Sequence, residues 1–69
     1  SSNIAYIYEE GKGVAKNYKK AAAYYELAVE QGENDCLLDL ARLFGKGGFG
    51  LTKNTEISQQ YEDQWDELQ

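Results

Sequence analysis

Apolar residues fall at helical spacing in four stretches of the chain, with glycine or asparagine at the boundaries. The first stretch, from about Asn3 to Glu10, sets Ile4, Ala5 and Tyr8 on one side and stops at Gly11-Lys12-Gly13. Two glycines spaced by one residue supply the positive-φ positions that end a helix and reverse the chain. The second stretch opens at Asn17, whose side chain can accept a hydrogen bond from an unpaired N–H of the first turn. It carries Ala21, Tyr24, Tyr25, Ala28 and Val29 on a broad apolar face and closes at Gly32. Alanine lets a neighbouring helix approach closely, and tyrosine fills the space beside it. The third stretch starts near Asn34 or Asp35 and presents Cys36, Leu37, Leu40, Ala41, Leu43 and Phe44, the most apolar run of the molecule and the expected centre of its core. After a glycine-rich turn over 45–50, the fourth begins near Asn54, with Ile57, Tyr61, Trp65 and Leu68 at successive turns and Glu62, Asp63, Asp66 and Glu67 opposite them. The pattern predicts an all-α chain of four antiparallel helices.

Laying the second half on the first shows that these helices form two copies of one unit. Ile4-Ala5 and Tyr8 fall on Leu40-Ala41 and Phe44 at a shift of 36, and Gly13-Val14-Ala15-Lys16-Asn17 falls on Gly50-Leu51-Thr52-Lys53-Asn54 at a shift of 37. One extra residue in the second turn accounts for the difference. Ala21 and Tyr24 then fall on Ser58 and Tyr61, and Ala28 is met by Trp65.

The run from Tyr8 to Gly32 resembles the Sel-one-like repeat, a relative of the tetratricopeptide repeat. That family's pattern is an aromatic, Gly-x-Gly-Val, an acidic or amide cap, an alanine, an aromatic pair, a second alanine pair and a closing glycine. Here these are Tyr8, Gly11-Lys12-Gly13-Val14, Asn17, Ala21, Tyr24-Tyr25, Ala28-Val29 and Gly32. The second copy supplies Cys36 for the opening alanine, Leu40-Ala41 for a leucine–glycine pair, Phe44 for the tyrosine and Gly47 for the first turn glycine. It departs at the lengthened turn, at Glu62 in place of the second aromatic, and at Asp66 and Gln69 where small residues are usual. The resemblance implies an α-α superhelix, a solenoid of about two helix-turn-helix repeats forming a single domain over 1–69. Repeat one is expected over about 1–32, truncated at its start, and repeat two over about 34–69, degenerate, with its last helix as a cap. Solenoid units bury their faces on neighbours and about three are usually needed for stability, so self-association or flanking repeats are expected.

Composition excludes several functions. Net charge is −5, and no positive side chain follows Glu56. Nucleic acid is therefore not an expected partner, because phosphate binding needs a basic stripe, and anionic membrane surfaces are disfavoured likewise. No apolar run approaches the ~18 residues of a membrane span, and no charged-then-apolar leader opens the chain. The chain contains no methionine, so it is expected to be a mature product or part of a longer protein. Its single cysteine, Cys36, cannot form an internal disulfide. The compartment stays open between cytoplasm and bacterial periplasm.

Candidate chemistry is sparse. Gly45-Lys46-Gly47-Gly48-Phe49-Gly50 satisfies the literal G-x-G-x-x-G pattern, but a dinucleotide loop follows a strand within a βαβ unit and here a helix precedes. Glu62, Asp63, Asp66 and Glu67 place carboxylates on one helix face, yet hard-cation sites draw more oxygens from a loop, and a solvated surface is the expected reading. With no histidine there is no His-based acid–base catalysis or ligation. Cys36 occupies a small-residue position without a nearby base and reads as a buried structural thiol. No catalytic, metal-binding or cofactor-binding residue is therefore assigned.

What remains is binding. The resemblance implies a non-catalytic scaffold or adaptor whose first helix in each repeat lines a concave face for a peptide or protein. Carried over by position, the contacts are Ser2, Tyr6 and Glu9 in the first copy and Asp35, Leu38, Arg42 and Lys46 in the second. Tyr6, Leu38 and Arg42 are the expected anchors, since aromatic groups and arginine dominate buried interface energy. One alternative is a small inhibitor or immunity-type protein acting on one target. A more distant one is β-lactam hydrolysis, suggested by cysteine-rich relatives whose disulfide-paired form this chain cannot adopt.

Overall fold

A computed structural model describes residues 2–69, without the side chain of Ser2. It contains α1 (Ser2–Glu10), α2 (Tyr18–Glu30), α3 (Cys36–Lys46) and α4 (Thr55–Glu67). No strand occurs among the described residues; Gly48 and Leu51 form an isolated bridge within the second turn. Each helix packs chiefly on its neighbours in sequence, α1 on α2, α2 on α3 and α3 on α4.

The internal repeat is visible in the backbone. Asn17 and Asn54 have nearly the same conformation, φ −148° with ψ 93° and 96°. Each accepts a hydrogen bond through its side chain, from the N–H of Lys20 at 3.0 Å and of Ile57 at 3.1 Å. Each also donates its own N–H back across the turn, Asn17 to the Tyr8 carbonyl at 3.0 Å and Asn54 to the Phe44 carbonyl at 2.8 Å. The aromatic pairs correspond as well: Tyr8 stacks on Tyr24 and Phe44 on Tyr61, both with centroids 5.8 Å apart. One asparagine thus satisfies an orphan helical donor while tying two antiparallel helices at a fixed distance.

α3 begins at Cys36, one or two residues later than its composition predicts. Asp35 makes no side-chain cap, and the turn into α3 is closed by tighter backbone bonds, Cys36 N–H to Glu33 and Leu37 N–H to Asn34. α3 supplies the three largest fully buried side chains, Leu37, Leu40 and Leu43. Ala5, Tyr18, Ala21, Ala22, Tyr25, Ala28 and Cys36 complete the core around Leu40 and Leu43. The Cys36 thiol is buried, and its pKa is raised by that burial and then by the nearby charges of Asp39, Glu33 and Asp35. It is a poor nucleophile.

The extra residue of the second turn joins the two repeats. Among the described residues, Phe49 is the non-glycine residue with positive φ, 49°. Its carbonyl accepts from the Tyr18 N–H at 2.9 Å, one of the unpaired donors at the start of α2, and its ring meets Tyr18 edge-on at 4.9 Å. Ring contact and bond together hold a conformation that costs an L-residue about 1–2 kcal/mol.

Gly47 has the least freedom to change. It sits at φ 69°, and a Cβ there would lie 2.7 Å from Lys53 Cβ and 2.9 Å from that residue's backbone. Gly47→Ala is expected to cost more than the ~1–2 kcal/mol of the left-handed conformation alone. Gly13→Ala, at φ 79° with open space around the new carbon, should cost that conformational term only. Urea midpoints of the two variants separate the effects; equal losses would show that Lys53 yields without strain.

Candidate interaction surface

α1 and α3 both pack on α2, and Arg42 of α3 reaches Glu9 of α1. Tyr6 is 47% and Leu38 44% exposed. Asp35, Arg42 and Lys46 are also exposed, while the side chain of Ser2 lies outside the described residues.

Glu9 departs from the expected set of exposed contacts, because it is buried at 5% exposure. Its carboxylate accepts from the Tyr25 hydroxyl at 2.6 Å and from both terminal nitrogens of Arg42, Nη1 to Oε2 and Nη2 to Oε1, the latter at 3.3 Å. Arg42 Nη2 also donates to Asp39 Oδ1 at 2.8 Å. One carboxylate thus ties α1, α2 and α3 together, and what Glu9 contributes to the surface is the placement of Arg42. Burial by itself would raise the pKa of Glu9; hydrogen bonds from Arg42 and Tyr25, with the charge of Arg42, outweigh it and hold the group below the ordinary carboxylate range. The Tyr25 hydroxyl is pushed up by burial and by the carboxylate it bonds to. The Arg42 guanidinium is held more firmly protonated, chiefly by its bond to Glu9.

Sequence spacing does not show this cluster, since Glu9 and Arg42 are 33 positions apart. A usable signal was available in the repeat itself. Glu9 falls on Gly45 and Arg42 on Tyr6, so each member of the pair is a chemical departure from the corresponding residue of the other copy.

Several lysines lie over aromatic rings. Lys12 Nζ is 5.1 Å from the Tyr6 centroid, and Lys46 Nζ is 5.5 Å from that of Tyr18. Two of the expected contacts, Tyr6 and Lys46, are therefore already engaged in cation–π pairs within the chain.

A concavity elsewhere in the fold has no signal in the sequence. A cavity of about 250 Å³ between α2, α3 and α4 is lined by Glu26, Val29, Glu30, Leu40 and Tyr61. The Tyr61 hydroxyl donates to Glu26 at 3.0 Å, and burial, then that bond and charge, push its pKa up to about 12. Among the described residues no group of three or more His, Cys, Asp or Glu side chains is placed to hold a metal ion. No described helix is long and apolar enough to cross a membrane.

Duplicated helical hairpins stacked in sequence, with a polar and aromatic surface on their first helices, define an α-α superhelical repeat module. Residues 2–33 and 34–61 each match the Sel1 repeat, and the chain belongs to that family. A solved Sel1 repeat protein from Oxalobacter formigenes is similar to it, at 31% identity and a TM-score of 0.81 over 97% of this chain. The chain spans 27% of the length of that structure. No curated protein matches. Sel1 repeats are generally protein-interaction modules.

Proposed function

We propose that the α1–α3 surface is the concave, partner-binding side of a non-catalytic scaffold, with Leu38, Arg42 and Tyr6 as its principal contacts for a peptide or protein. The observation that carries this reading is the state of Arg42. Its side chain is half exposed, yet its guanidinium is fixed by Glu9 and Asp39, so little freedom is lost when a partner engages it. Leu38 lies one helical turn away, 44% exposed, and supplies apolar area beside the charge. The acidic run on α4 adds long-range attraction for basic surfaces.

Peptides selected on the immobilised chain from a random display library provide the test. Amide shifts on binding should centre on Tyr6, Leu38 and Arg42, and Leu38→Glu should weaken binding at least about tenfold with an unchanged far-UV spectrum. Shifts centred on Glu26, Glu30 and Tyr61 would place recognition in the α2–α4 cavity and sink this reading.

A further inference from the structure

The net charge of −5 conceals a separation of charge along the molecule. All six lysines, Lys12, Lys16, Lys19, Lys20, Lys46 and Lys53, fall within 11–20 and 45–54, and neither stretch contains an aspartate or glutamate. The rest of the chain carries all twelve acids against a single arginine, Arg42. The two stretches are the turns inside each repeat with the helix ends beside them, and the fold brings them together. The Tyr18 N–H donates to the Phe49 carbonyl, and Lys16 and Lys46 lie over the two rings of the Phe49–Tyr18 pair, 5.4 and 5.5 Å from their centroids. A Cβ at Gly50 would stand 3.6 Å from Lys19 Cβ, and Gly47 is packed on Lys53.

Like charges gathered in this way repel one another. All six lysines are exposed, and among the described residues none is ion-paired, the Glu9 and Asp39 carboxylates being taken by Arg42. Lys12, Lys16, Lys20 and Lys46 rest on aromatic rings instead, which places the amines without neutralising them. Most of the acids are remote. Glu30, Glu33 and Asp35 lie at the other end of α2, and Glu62, Asp63, Asp66 and Glu67 along the second half of α4. By helical rise these are about 12 Å or more from the nearest turn, beyond the ~8 Å over which exposed charges act at physiological salt. The same two turns leave Phe49 54% and Val14 43% exposed.

We propose that this lysine pole binds a short acidic segment of a partner protein, with carboxylates on Lys16, Lys46 and Lys53 and an apolar side chain over Phe49. The Phe49 ring and backbone are already fixed by Tyr18, so little freedom is lost on binding. Charge favours a short segment over a long polyanion. Glu10 and Glu56 border the pole, so a nucleic-acid strand or a membrane plane running past it meets carboxylates, and the overall charge opposes such highly charged partners. Phe49 also calls for an apolar contact, which phosphates lack. The pole shares Lys46 with the contacts implied by the family resemblance, but it does not rest on the reading of Tyr6, Leu38 and Arg42.

The test titrates the whole chain with two blocked peptides of about eight residues, one all glutamate and one with leucines at its centre. Amide shifts should centre on 12–20 and 46–53, and the leucine-bearing peptide should bind at least about fivefold more tightly. Lys16→Gln with Lys46→Gln and Lys53→Gln should weaken both at least about tenfold with an unchanged far-UV spectrum. If that variant does not fold, raising salt from about 50 to 500 mM with the unaltered chain should weaken both by a similar factor. Phe49→Asn, which keeps a residue tolerant of the left-handed backbone, should abolish only the advantage of leucine. Leu38→Glu should change neither affinity, so this site and the α1–α3 surface fail separately. No binding, shifts away from the turns, equal affinity for the two peptides, or indifference to both lysine substitution and salt would each overturn the proposal. Tighter binding to phosphatidylserine–phosphatidylcholine vesicles or to a short single-stranded oligonucleotide, lost in the lysine variant, would give the pole to a membrane or a nucleic acid and overturns it. A salt-sensitive dimer of the chain alone, dissolved by the same substitutions, would give it to the acids of a second copy and overturns it too.

Discussion

Leu40→Ala is expected to cost about 2–5 kcal/mol, the range for emptying a fully buried leucine site that relaxes only in part. At roughly 0.05–0.15 kcal/mol per residue, a chain of this length has about 3–10 kcal/mol in all, so this one substitution removes a large share of its stability. Ile4→Ala, in the same register of the first repeat, should cost less than about 1 kcal/mol because its side chain already meets water. Urea unfolding of the two variants measures the contrast. Similar losses would mean that Ile4 is covered in solution, by self-association or by a shift of α1.

Arg42→Ala should cost about 2–3 kcal/mol and reverse the acid response of the protein. The loss comes mainly from leaving the Glu9 carboxylate buried with the Tyr25 hydroxyl and without its cationic partner; the half-exposed arginine keeps it below the full cost of breaking a buried pair. In the unaltered chain the pKa of Glu9 is lowered on folding. Stability from this group is therefore complete above the ordinary value, about 4.3, and is lost as pH falls below it through the folded value. Without Arg42 burial dominates, the folded pKa rises above the ordinary value, and the variant loses stability as pH rises from about 4 to 7. Adding Glu9→Gln to Arg42→Ala should restore most of the loss and remove this slope. Urea midpoints across that pH range decide it: parallel profiles for the single variant and the parent would show that Arg42 does not govern the carboxylate.

The parts of the fold legible in the sequence are those set by local chemistry. Asn17 and Asn54 announce helix starts because a side-chain acceptor three residues before a backbone donor is a short-range device, and both cap as expected. Gly11, Gly32 and Gly47 mark helix ends for the same reason. The start of α3 was less legible, since Asp35 has the composition of a cap without forming the bond. Phe49 in a left-handed conformation was not legible at all, because its conformation depends on Tyr18 in the other repeat.

The candidate surface divides along the same line. Tyr6, Leu38 and Arg42, carried over as contacts from the repeat resemblance, are exposed. The burial of Glu9 could not be placed from spacing, being decided by Tyr25 and Arg42 from two other helices. The cavity beside Tyr61 forms only where three helices converge.

The way each helix leans on the next in sequence also bears on how the chain is made and unmade. Interactions between neighbours close short loops, so little entropy is spent before they form, and rapid folding is the usual result. Opening then proceeds from an end. α4 buries no side chain completely, so its detachment costs less than breaking apart α2 and α3, and amide exchange is expected to be fastest along α4 and slowest around Leu40.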